Sequence, residues 1–493
     1  MSVERETKLD VGPGFRLPGF DGVGGDIRAV RDEPVRTRTV YWDTEDLRLA
    51  RWGCSLRHRN EQGWTLKLPA EREGEALARD EIVANGRPTV PPADLVELVT
   101  AYVRGDRLLP VVALRTVRTR VGFSAADRTP AGEVVDDEVT VLEGRRIAAR
   151  FREVEVETDD DGLAGAAIAR LRAAGAGEAV LRPKYLRALG PRAADPPELQ
   201  ATTSLSRDAT VREAIANAMA TSVIRLLRAD AQVRLDEDPE GVHRARVAVR
   251  RLRSDLRTFR SLLDEAWSDP LRRELTWLGD ALRDVRDLDV LGLRLSERVA
   301  ALALEDRRAG ERLVKRARAE RSRAREGLLA DLRSDRYRDL LRRLVEDAAA
   351  PGVREQDGSR PASEAMEPLM GQPWSHLESA CRSLGPDAPD EDLHEARIRA
   401  KRVRYAAEAL APMMGRSARE FAKAAEELQE VLGRHQDAVV AVAWLRGAAR
   451  AAPSTGLAAG LLVGVENQER ADARRRWRKA WKALRRSKKR AWS

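Results

Sequence analysis

The first residues whose spacing is suited to chemistry stand at the start of the chain. Glu4, Glu6 and Lys8 occupy every second position there. In a β-strand, residues two apart point to the same side, so two carboxylates and one ammonium would share a face. A charged row of this kind is unsuited to an apolar core. It is suited to a site that holds a divalent cation on the carboxylates and an anion on the ammonium.

Other segments of the first 190 residues repeat the alternation with charges of both signs. Glu153, Glu155 and Glu157 share one face of the segment FREVEVET, and Val154 and Val156 take the other. Basic residues alternate with the same period at Arg57 and Arg59, at Arg118 and Arg120, and at Lys67 beside Thr65. Cations of this density suit a chain of phosphates, which carboxylates approach only through a divalent ion such as Mg²⁺ or Mn²⁺.

A second kind of basic pattern appears after residue 208, with the period of a helix. His243, Arg246, Arg250, Arg253 and Arg257 follow one another at intervals of 3, 4, 3 and 4 and would form one stripe. A similar stripe contains His394, Arg397, Lys401 and Arg404. Like charges at these spacings repel, at about 0.2–0.5 kcal/mol per pair. Their repetition favours an anion as ligand over a solvated helix face.

Composition limits the classes of protein that have to be considered. The chain has 493 residues, 43% of them hydrophobic and 34% charged, with a formal net charge of +9 and a pI near 9.8. Such a chain should attract anions: nucleic acid, anionic lipid or a phosphate polymer. The lone cysteines Cys54 and Cys381 argue against a disulfide framework. With no signal peptide and an apolar run only at 456–465, we predict a soluble cytoplasmic protein with no membrane partner.

The chain divides by pattern into two main regions. Short alternating segments, with helical stretches near 94 and 163, predict a mostly antiparallel sheet or barrel up to residue 190. Residues 191–207 are proline-rich and predict a linker. Residues 208–480 are almost entirely helical in pattern, and 481–493 form a basic tail. The predicted fold class is therefore α+β and multidomain.

The helical region repeats itself. The segment GVHRARVAVRRLRSDLRTF, which begins at 241, matches DLHEARIRAKRVRYAAEAL, and LGDALRDVRDLDVL matches LQEVLGRHQDAVVA further on. The two offsets, 151 and 150 residues, are nearly equal. Two independent matches at one offset predict a duplicated helical bundle.

The alternating residues of the first region resemble the CYTH family of triphosphate tunnel enzymes, which includes class IV adenylate cyclases and thiamine triphosphatases. The resemblance rests on Glu-x-Glu-x-Lys at 4–8, on YWDTEDLRLARWGCSLRHR and on PKYLRAL, and it covers 1–190. It implies an eight-stranded antiparallel β-tunnel that holds a triphosphate and one or two divalent cations.

The tunnel resemblance gives each charged residue an expected role. The expected metal ligands are Glu4, Glu6, Asp137, Glu153 and Glu155, with Asp136 in place of Asp137 if a bulge exchanges their faces. The expected phosphate-binding residues are Lys8, Arg57, Arg59, Lys67, Arg118, Arg120 and Lys184. The expected catalytic residues are Glu4, Glu6, Lys8 and Glu157, of which Glu157 would orient the attacking water. His58, His376 and His435 are expected to have no functional role.

The repeated region resembles the CHAD family, the conserved histidine α-helical domain, over roughly 208–480. The resemblance implies two pseudo-symmetric four-helix bundles and a basic surface that binds inorganic polyphosphate. The expected contacts are His243, Arg246, Arg250, Arg253, His394, Arg397, Lys401 and Arg404, with Arg251 and Arg402 as weaker candidates. Asp287 and Asp437, at matching places in the second pair of repeats, are expected to orient arginine side chains.

Several hypotheses about function remain at this point. The first is Mg²⁺- or Mn²⁺-dependent hydrolysis of inorganic triphosphate or short polyphosphate, with long polyphosphate held by the helical region. The second is a protein without catalysis that binds polyphosphate granules and uses the tunnel as a receptor. A nucleotide or thiamine triphosphate enzyme is the third, and nucleic-acid binding, suggested only by charge, is the least favoured. For the tail, Trp477 and Trp481 would either dock on the bundle or serve an extra anion contact.

Overall fold

The computed structural model describes residues 6–25, 27–69, 79–179, 183–206, 208–385 and 387–491, and of Glu6, Arg79, Asp80, Glu367 and Ala491 only the backbone. The predicted roles of Glu4 and of the Glu6 side chain therefore lie outside the described residues. The chain forms two compact units, with the boundary after Pro197. We call them unit 1 and unit 2 and treat each by itself.

Unit 1 is built on one antiparallel sheet. Its strands are β1 (Glu6–Val11), β2 (Arg28–Arg31), β3 (Val35–Asp43), β4 (Ser55–Arg59), β5 (Gly63–Pro69), β6 (Arg79–Ala84), β7 (Leu109–Ser124), β8 (Pro130–Glu143) and β9 (Arg146–Glu157). Eight of them form one path in the order β1-β9-β8-β7-β3-β4-β5-β6, and β2 adds to the far end of β7. This confirms the predicted antiparallel sheet of eight strands, to which β2 adds a ninth among the described residues.

The strand register separates the two faces of the sheet. Lys8 lies opposite Glu155, Asp137 opposite Glu153, and Arg118 opposite Asp137, so these side chains share what we call the charged face. On the other face, Val154 and its neighbours belong to a buried apolar cluster with the loop residue Phe20. The two-residue period predicted from the sequence therefore holds on these strands.

Short helices cover the sheet of unit 1. They are α1 (Arg48–Arg51), α2 (Ala93–Leu98), α3 (Thr100–Val103), α4 (Asp161–Ala173) and α5 (Lys184–Leu189), followed by a 3₁₀ turn at Pro191–Ala194. Helix α4 packs on the apolar face through Leu163 and Leu171. Helix α5 packs instead on an apolar part of the charged side, where Tyr185 stacks on Tyr41 with ring centroids 5.6 Å apart. This packing places Lys184, the first residue of α5, beside the charged residues.

Unit 2 is helical, as predicted. Its helices are α6 (Val211–Leu235), α7 (Glu240–Thr258), α8 (Glu265–Ala300), α9 (Leu304–Arg333), α10 (Asp335–Ala349), α11 (Glu355–Gly358), α12 (Ala362–Met366), α13 (Gly371–Ser383), α14 (Asp390–Met414), α15 (Arg416–Ala451) and α16 (Gly456–Ala491). Short 3₁₀ turns lie at Arg260–Leu262, Glu367–Met370 and Pro453–Thr455. Side-chain caps fix several helix starts, among them a capping box between Thr210 and Glu213 before α6.

The predicted duplication corresponds to two sets of helices. The first repeat pair falls on α7 and α14, and the second on α8 and α15, which both have 36 residues. Helix α7 packs between α6 and α8, as α14 packs between α13 and α15. The sets meet where α7 contacts α14 and where α9 contacts α16, with Leu295, Leu313, Leu445 and Leu462 in a shared apolar cluster.

The segment separated as a tail continues the last helix as far as Ala491. Trp477 and Trp481 are buried, and Trp481 stacks on Trp374 with ring centroids 5.4 Å apart. This favours the structural interpretation of these tryptophans over an anion contact. None of the helices that the structure describes combines the length and the apolar character needed to cross a bilayer.

Candidate functional sites

Three buried carboxylates form the centre of the charged face. Asp137 and Glu153 have no exposed surface, and Glu155 is 3% exposed. Buried carboxylates need cations, and Lys184 meets all three. Its Nζ lies 3.0 Å from Glu155 Oε1 and 3.4 Å from Glu153 Oε1, and it donates a hydrogen bond to Asp137 Oδ2.

Two further predicted residues complete this cluster from neighbouring strands. Lys8 Nζ donates to Glu155 Oε1 at 2.6 Å. Arg118 binds Asp137 through two parallel hydrogen bonds, of 2.9 Å from Nε and 2.7 Å from Nη2, and its Nη2 lies 3.8 Å from Glu155 Oε2. The structure therefore brings Lys8, Arg118 and Lys184 together around the three acids.

Burial and neighbouring charges shift the pKa values of Glu155, Glu153 and Lys184 in different ways. Burial by itself favours the neutral carboxyl of Glu155, but Lys184 and Lys8 outweigh it and hold the pKa of Glu155 well below its usual range. Burial raises the pKa of Glu153, where Lys184 and the other cations compensate less completely. Burial disfavours charge on Lys184, yet Asp137, Glu155 and Glu153 raise its pKa. Glu155 is thus held as a carboxylate, while Glu153 protonates more readily.

Arg187 and Asp10 belong to the same network, and the sequence analysis missed both. Arg187 Nη1 lies 3.2 Å from Glu153 Oε2, its Nη2 lies 2.9 Å from Asp10 Oδ1, and the guanidinium stacks over Phe151 at 4.3 Å. The available signal was helical spacing, because Arg187 follows Lys184 by three residues in KYLRAL. Asp10 continues the alternation of Glu6 and Lys8 by one step.

A second group of cations lies on β4 and β5. Arg57 Nη2 and Lys67 Nζ lie 3.8 Å and 2.8 Å from Glu81 on β6, an acid that the sequence analysis also missed. Burial, followed by the like charges of Arg57 and Arg118, lowers the pKa of Arg59. The charge of Arg59 therefore interacts with that of Arg118 as well as with that of Arg57, so the two groups of cations lie close to each other.

The remaining predicted residues of unit 1 lie outside this centre. Arg120 has a side chain 53% exposed and pairs with Glu133. Glu157 is half-buried and acts electrostatically on Arg118. Asp136 faces the other way and accepts two hydrogen bonds from Arg152, at 2.8 and 2.7 Å. Of the two adjacent aspartates, the structure therefore places Asp137 on the charged face.

The donor set of the charged face fits a hard divalent cation. Asp137, Glu153 and Glu155 supply only oxygen ligands, as Mg²⁺ and Mn²⁺ prefer. Glu153 Oε1 is buried and accepts no hydrogen bond within the described part of the chain. The described residues alone form no group of three or more acids or histidines ready to hold a metal. A complete site would therefore depend on the predicted ligands Glu4 and Glu6 and on movement of Lys184.

In unit 2, the two predicted stripes face each other across the α7–α14 contact. Burial, followed by the charges of Arg397, Arg250 and Arg246, lowers the pKa of Lys401 to about 7. Arg250 comes from α7 and also stacks over Tyr405 of α14 at 5.2 Å. We call Arg246, Arg250, Arg397 and Lys401 the central cationic cluster. Because burial and the neighbouring arginines disfavour the charged form of Lys401, a bound anion would stabilise this cluster.

The two aspartates expected to orient arginine side chains lie on the helices that follow α7 and α14. Asp287 on α8 accepts a hydrogen bond from Arg246 at 2.9 Å, and Asp437 on α15 lies 3.9 Å from Arg397 Nη2. The duplication therefore extends to individual arginine–aspartate pairs.

The other predicted contacts of unit 2 do not belong to the central cationic cluster. Arg404 is engaged by Glu408 at 2.9 Å and Glu426 at 2.7 Å, so it is neutralised by protein acids. His243 has its pKa lowered by burial and then by Arg286, a residue the sequence analysis did not select. Among the described residues, the buried Nδ1 of His394 has no hydrogen-bond partner. Arg253 lines a separate cavity near the start of α8.

Comparison with known proteins agrees with both resemblances. The CYTH domain family matches residues 3–173 and the CHAD domain family matches residues 217–446. CYTH domains bind triphosphate-containing substrates and generally depend on Mg²⁺ or Mn²⁺. The chain is also similar to solved structures of PptA from Streptomyces chartreusis (25% identity, TM-score 0.46, 55% of this chain and 98% of that one) and of the CHAD domain from the plant Ricinus communis (29%, 0.48, 58% and 95%).

Two curated proteins are similar to this chain over nearly its whole length. The chain is 31% identical over 513 residues to uncharacterized protein Rv2226 of Mycobacterium tuberculosis H37Rv, covering 98% of this chain and 95% of the relative. The same values hold for uncharacterized protein MT2285 of strain CDC 1551. The chain therefore belongs to the family of proteins that join an N-terminal CYTH domain, of the triphosphate tunnel metalloenzyme superfamily, to a C-terminal CHAD domain.

Proposed function

We propose that unit 1 hydrolyses inorganic triphosphate or short polyphosphate with the help of Mg²⁺ or Mn²⁺. The observation that carries the proposal is a juxtaposition on one face. The buried acids Asp137, Glu153 and Glu155 lie next to guanidinium groups, among them Arg118, that have the geometry for phosphate oxygens. Carboxylates and phosphate can share a site only with cations between them.

Each described residue has a defined task in this proposal. Arg57, Arg59, Lys67, Arg118 and Lys8 bind the phosphate chain and align it for attack. Glu157 orients the water, and Lys184 and Arg187 hold the buried acids in position. A divalent cation, held by Glu4, Glu6, Asp137, Glu153 and Glu155, would stabilise the negative charge that develops on phosphate oxygens.

Phosphate release from tripolyphosphate tests this proposal. Wild-type protein with Mg²⁺ or Mn²⁺ is compared with Glu155→Gln and with the double variant Glu4→Gln, Glu6→Gln. We expect release by wild type and a loss of at least about a hundredfold in the variants. Glu138→Gln is the matched control, because Glu138 is adjacent to Asp137, faces away and has a side chain that is 58% exposed. Assays with ATP and thiamine triphosphate decide whether the substrate is inorganic. No release from any of these substrates would refute the proposal.

We further propose that unit 2 binds inorganic polyphosphate through the central cationic cluster. Support comes from the convergence of two basic stripes, where burial and then the neighbouring arginines lower the pKa of Lys401 and of Arg250. Binding of labelled polyphosphate by wild type and by Arg250→Gln, Arg397→Gln tests this. RNA and DNA at equal phosphate concentration serve as competitors. Displacement by nucleic acid as readily as by polyphosphate would contradict the proposal.

One observation favours a second function for unit 1. The described acids are engaged by Lys8, Arg118 and Lys184 rather than gathered around an open centre. A tunnel in this state could bind a phosphate chain without hydrolysing it, and unit 2 would attach the protein to polyphosphate granules. Tight binding without phosphate release, unchanged by Glu155→Gln, would favour this alternative.

A further inference from the structure

Four arginines surround a surface cavity between the end of α7 and the beginning of α8. The cavity has a volume of about 370 Å³. Its lining residues are Arg253, Arg257, Asp269, Arg272, Arg273 and Thr276. We call this cavity the arginine pocket. Of these residues, Arg253 was among the polyphosphate contacts expected from the sequence, and Arg257 belongs to the same basic stripe.

The arginine pocket has an excess of positive charge. Asp269 is the single acid among its described lining residues, and it is already paired with Arg272 at 3.1 Å. Within the described part of the chain, Arg253, Arg257 and Arg273 have no carboxylate at ion-pair distance. Burial, followed by the like charges of Arg402, Arg272 and Arg253, lowers the pKa of Arg257. Mutual repulsion among unpaired guanidinium groups favours a bound anion.

The backbone of α8 is shaped to admit one of these side chains. Gly279 lies beside Arg253, and a Cβ at this position would stand 3.2 Å from Arg253 Nη1 and 3.4 Å from Val249. A larger residue would therefore displace the Arg253 guanidinium. The glycine therefore leaves room for the Arg253 side chain beside α8.

The arginine pocket continues the central cationic cluster along α7. Arg253 is one turn beyond Arg250, and Arg402, which acts on Arg257, directly follows Lys401 on α14. From Arg246 to Arg257 the rise along the helix axis is about 16 Å. Arg250 and Arg253 are separated by a rise of only about 4.5 Å and can share a short anion. Contact with both Arg246 and Arg257 requires a long chain, because three phosphates joined by two bridging oxygens do not span the whole distance.

We propose that the arginine pocket is a second contact point for the same linear polyanion, so that unit 2 prefers chains long enough to reach both centres. The inference rests on the proposed binding of polyphosphate by unit 2. The second contact is intramolecular once the first has formed, and it therefore raises affinity without a second encounter.

The experiment compares the affinity of the full-length protein for long polyphosphate and for tripolyphosphate. The chain carries Arg118→Gln to weaken the site of unit 1, and EDTA prevents hydrolysis. Arg257→Gln, Arg273→Gln is the test variant, and Arg338→Gln, Arg342→Gln on α10 is the control, with the same change in net charge. Arg338 and Arg342 pair with Asp335 and Asp339 on their own helix.

We expect the test variant to raise the Kd for long polyphosphate about tenfold and to leave the Kd for tripolyphosphate unchanged. Its affinity for the long chain should also depend less steeply on salt, because fewer counterions are released. Equal effects on both ligands, no effect on either, or the same effect in the control would overturn the inference alone. If the parent protein bound no long polyphosphate, the proposed function of unit 2 would fail with it. Thermal unfolding checks that both variants are folded.

Discussion

Arg118 on β7 and Asp137 on β8 form a planar pair with two hydrogen bonds, of 2.9 and 2.7 Å, at the centre of the charged face. Asp137 has no exposed surface, and its Oδ2 also accepts a hydrogen bond from Lys184. One carboxylate thus holds two cations, Arg118, which is proposed to bind phosphate, and Lys184, which is proposed to position the buried acids. The pair sets the position of the Arg118 fork before any ligand arrives.

Removing this carboxylate should destabilise unit 1. We expect Asp137→Asn to lower the free energy of unfolding by about 3 kcal/mol, because breaking a buried ion pair leaves the partner charges uncompensated. Urea unfolding followed by tryptophan fluorescence measures the effect. Asp32→Asn is the control, since the Asp32 side chain is 51% exposed and lies 3.8 Å from Arg120 Nη1. Equal unfolding midpoints for the two variants would contradict the prediction.

Replacing Lys184 should change the pH dependence of the stability of unit 1. In wild type, the lowered pKa of Glu155 contributes stability above the unfolded pKa, and this stability is lost as the pH falls. In Lys184→Gln, both acids lose the cation that most favours their charged forms, so the pKa values of Glu153 and Glu155 rise relative to those in wild type. The charged forms are then less favourable in the folded protein, so the loss of stability relative to wild type grows as the pH rises.

The melting temperature of Lys184→Gln should therefore fall further below that of wild type at about pH 8 than at about pH 5. Lys67→Gln is the matched control, because Lys67 pairs with Glu81 where both side chains are partly exposed. Parallel pH profiles for wild type and Lys184→Gln would show that Lys184 does not hold the buried acids in their charged form.

Arg187 should act as a positioning residue through Glu153. Arg187→Gln removes the contact of 3.2 Å to Glu153 Oε2, and we expect kcat for tripolyphosphate to fall about tenfold with little change in KM. Arg187→Lys should recover part of the activity, since it retains the charge but loses the fork. Arg170→Gln on α4 is the control. An unchanged kcat in Arg187→Gln, alongside an inactive Glu155→Gln, would refute this role.

Lys401 should make polyphosphate binding depend on pH. Its pKa of about 7 means that the amine is largely neutral at higher pH, and a bound polyanion favours the charged form. The protein should take up a proton on binding, so affinity should fall as the pH rises from about 6 to about 9. Lys401→Arg should flatten the profile, since a guanidinium stays charged. Parallel profiles at constant ionic strength would exclude Lys401 as the titrating group.

Trp481 should contribute to stability and not to anion binding. We expect Trp481→Ala to lower the free energy of unfolding of unit 2 by about 3 kcal/mol, because it removes the partner of Trp374 and leaves a cavity. The Kd for polyphosphate, measured well below the melting temperature, should not change. Lys482→Gln, Arg486→Gln is the control for charge, as both side chains are exposed. A higher Kd for polyphosphate in Trp481→Ala, without loss of stability, would support the anion-contact interpretation instead.

Local periodicity accounts for the part of the sites that the sequence predicted correctly. The two-residue period places Glu153 and Glu155 on one face of their strand, and the pairing of β1 with β9 adds Lys8 to that face. Spacing alone could not choose between Asp136 and Asp137, because a bulge would exchange them. The pairing of β8 with β9 is regular at this point, without a bulge, and it places Asp137 on the charged face.

The sequence analysis missed residues that reach the site from a different secondary-structure element. Arg187 reaches Glu153 because the apolar residues of α5 pack beside the charged residues, and Glu81 reaches Lys67 through the pairing of β5 with β6. Neither contact follows from a motif. Both depend on which surfaces meet, and this depends on packing over long sequence separations.

The sequence by itself determined the two-domain composition, the face of each strand and the existence of two basic stripes, since these follow from local spacing. Only the tertiary structure decided that the stripes meet where α7 packs on α14, that Lys401 lies buried among arginines, and that Arg404 is neutralised by Glu408 and Glu426. The physical reason is range. Periodicity acts over a few residues, whereas the charge around a buried group is the sum of side chains from helices about 150 residues apart in the chain.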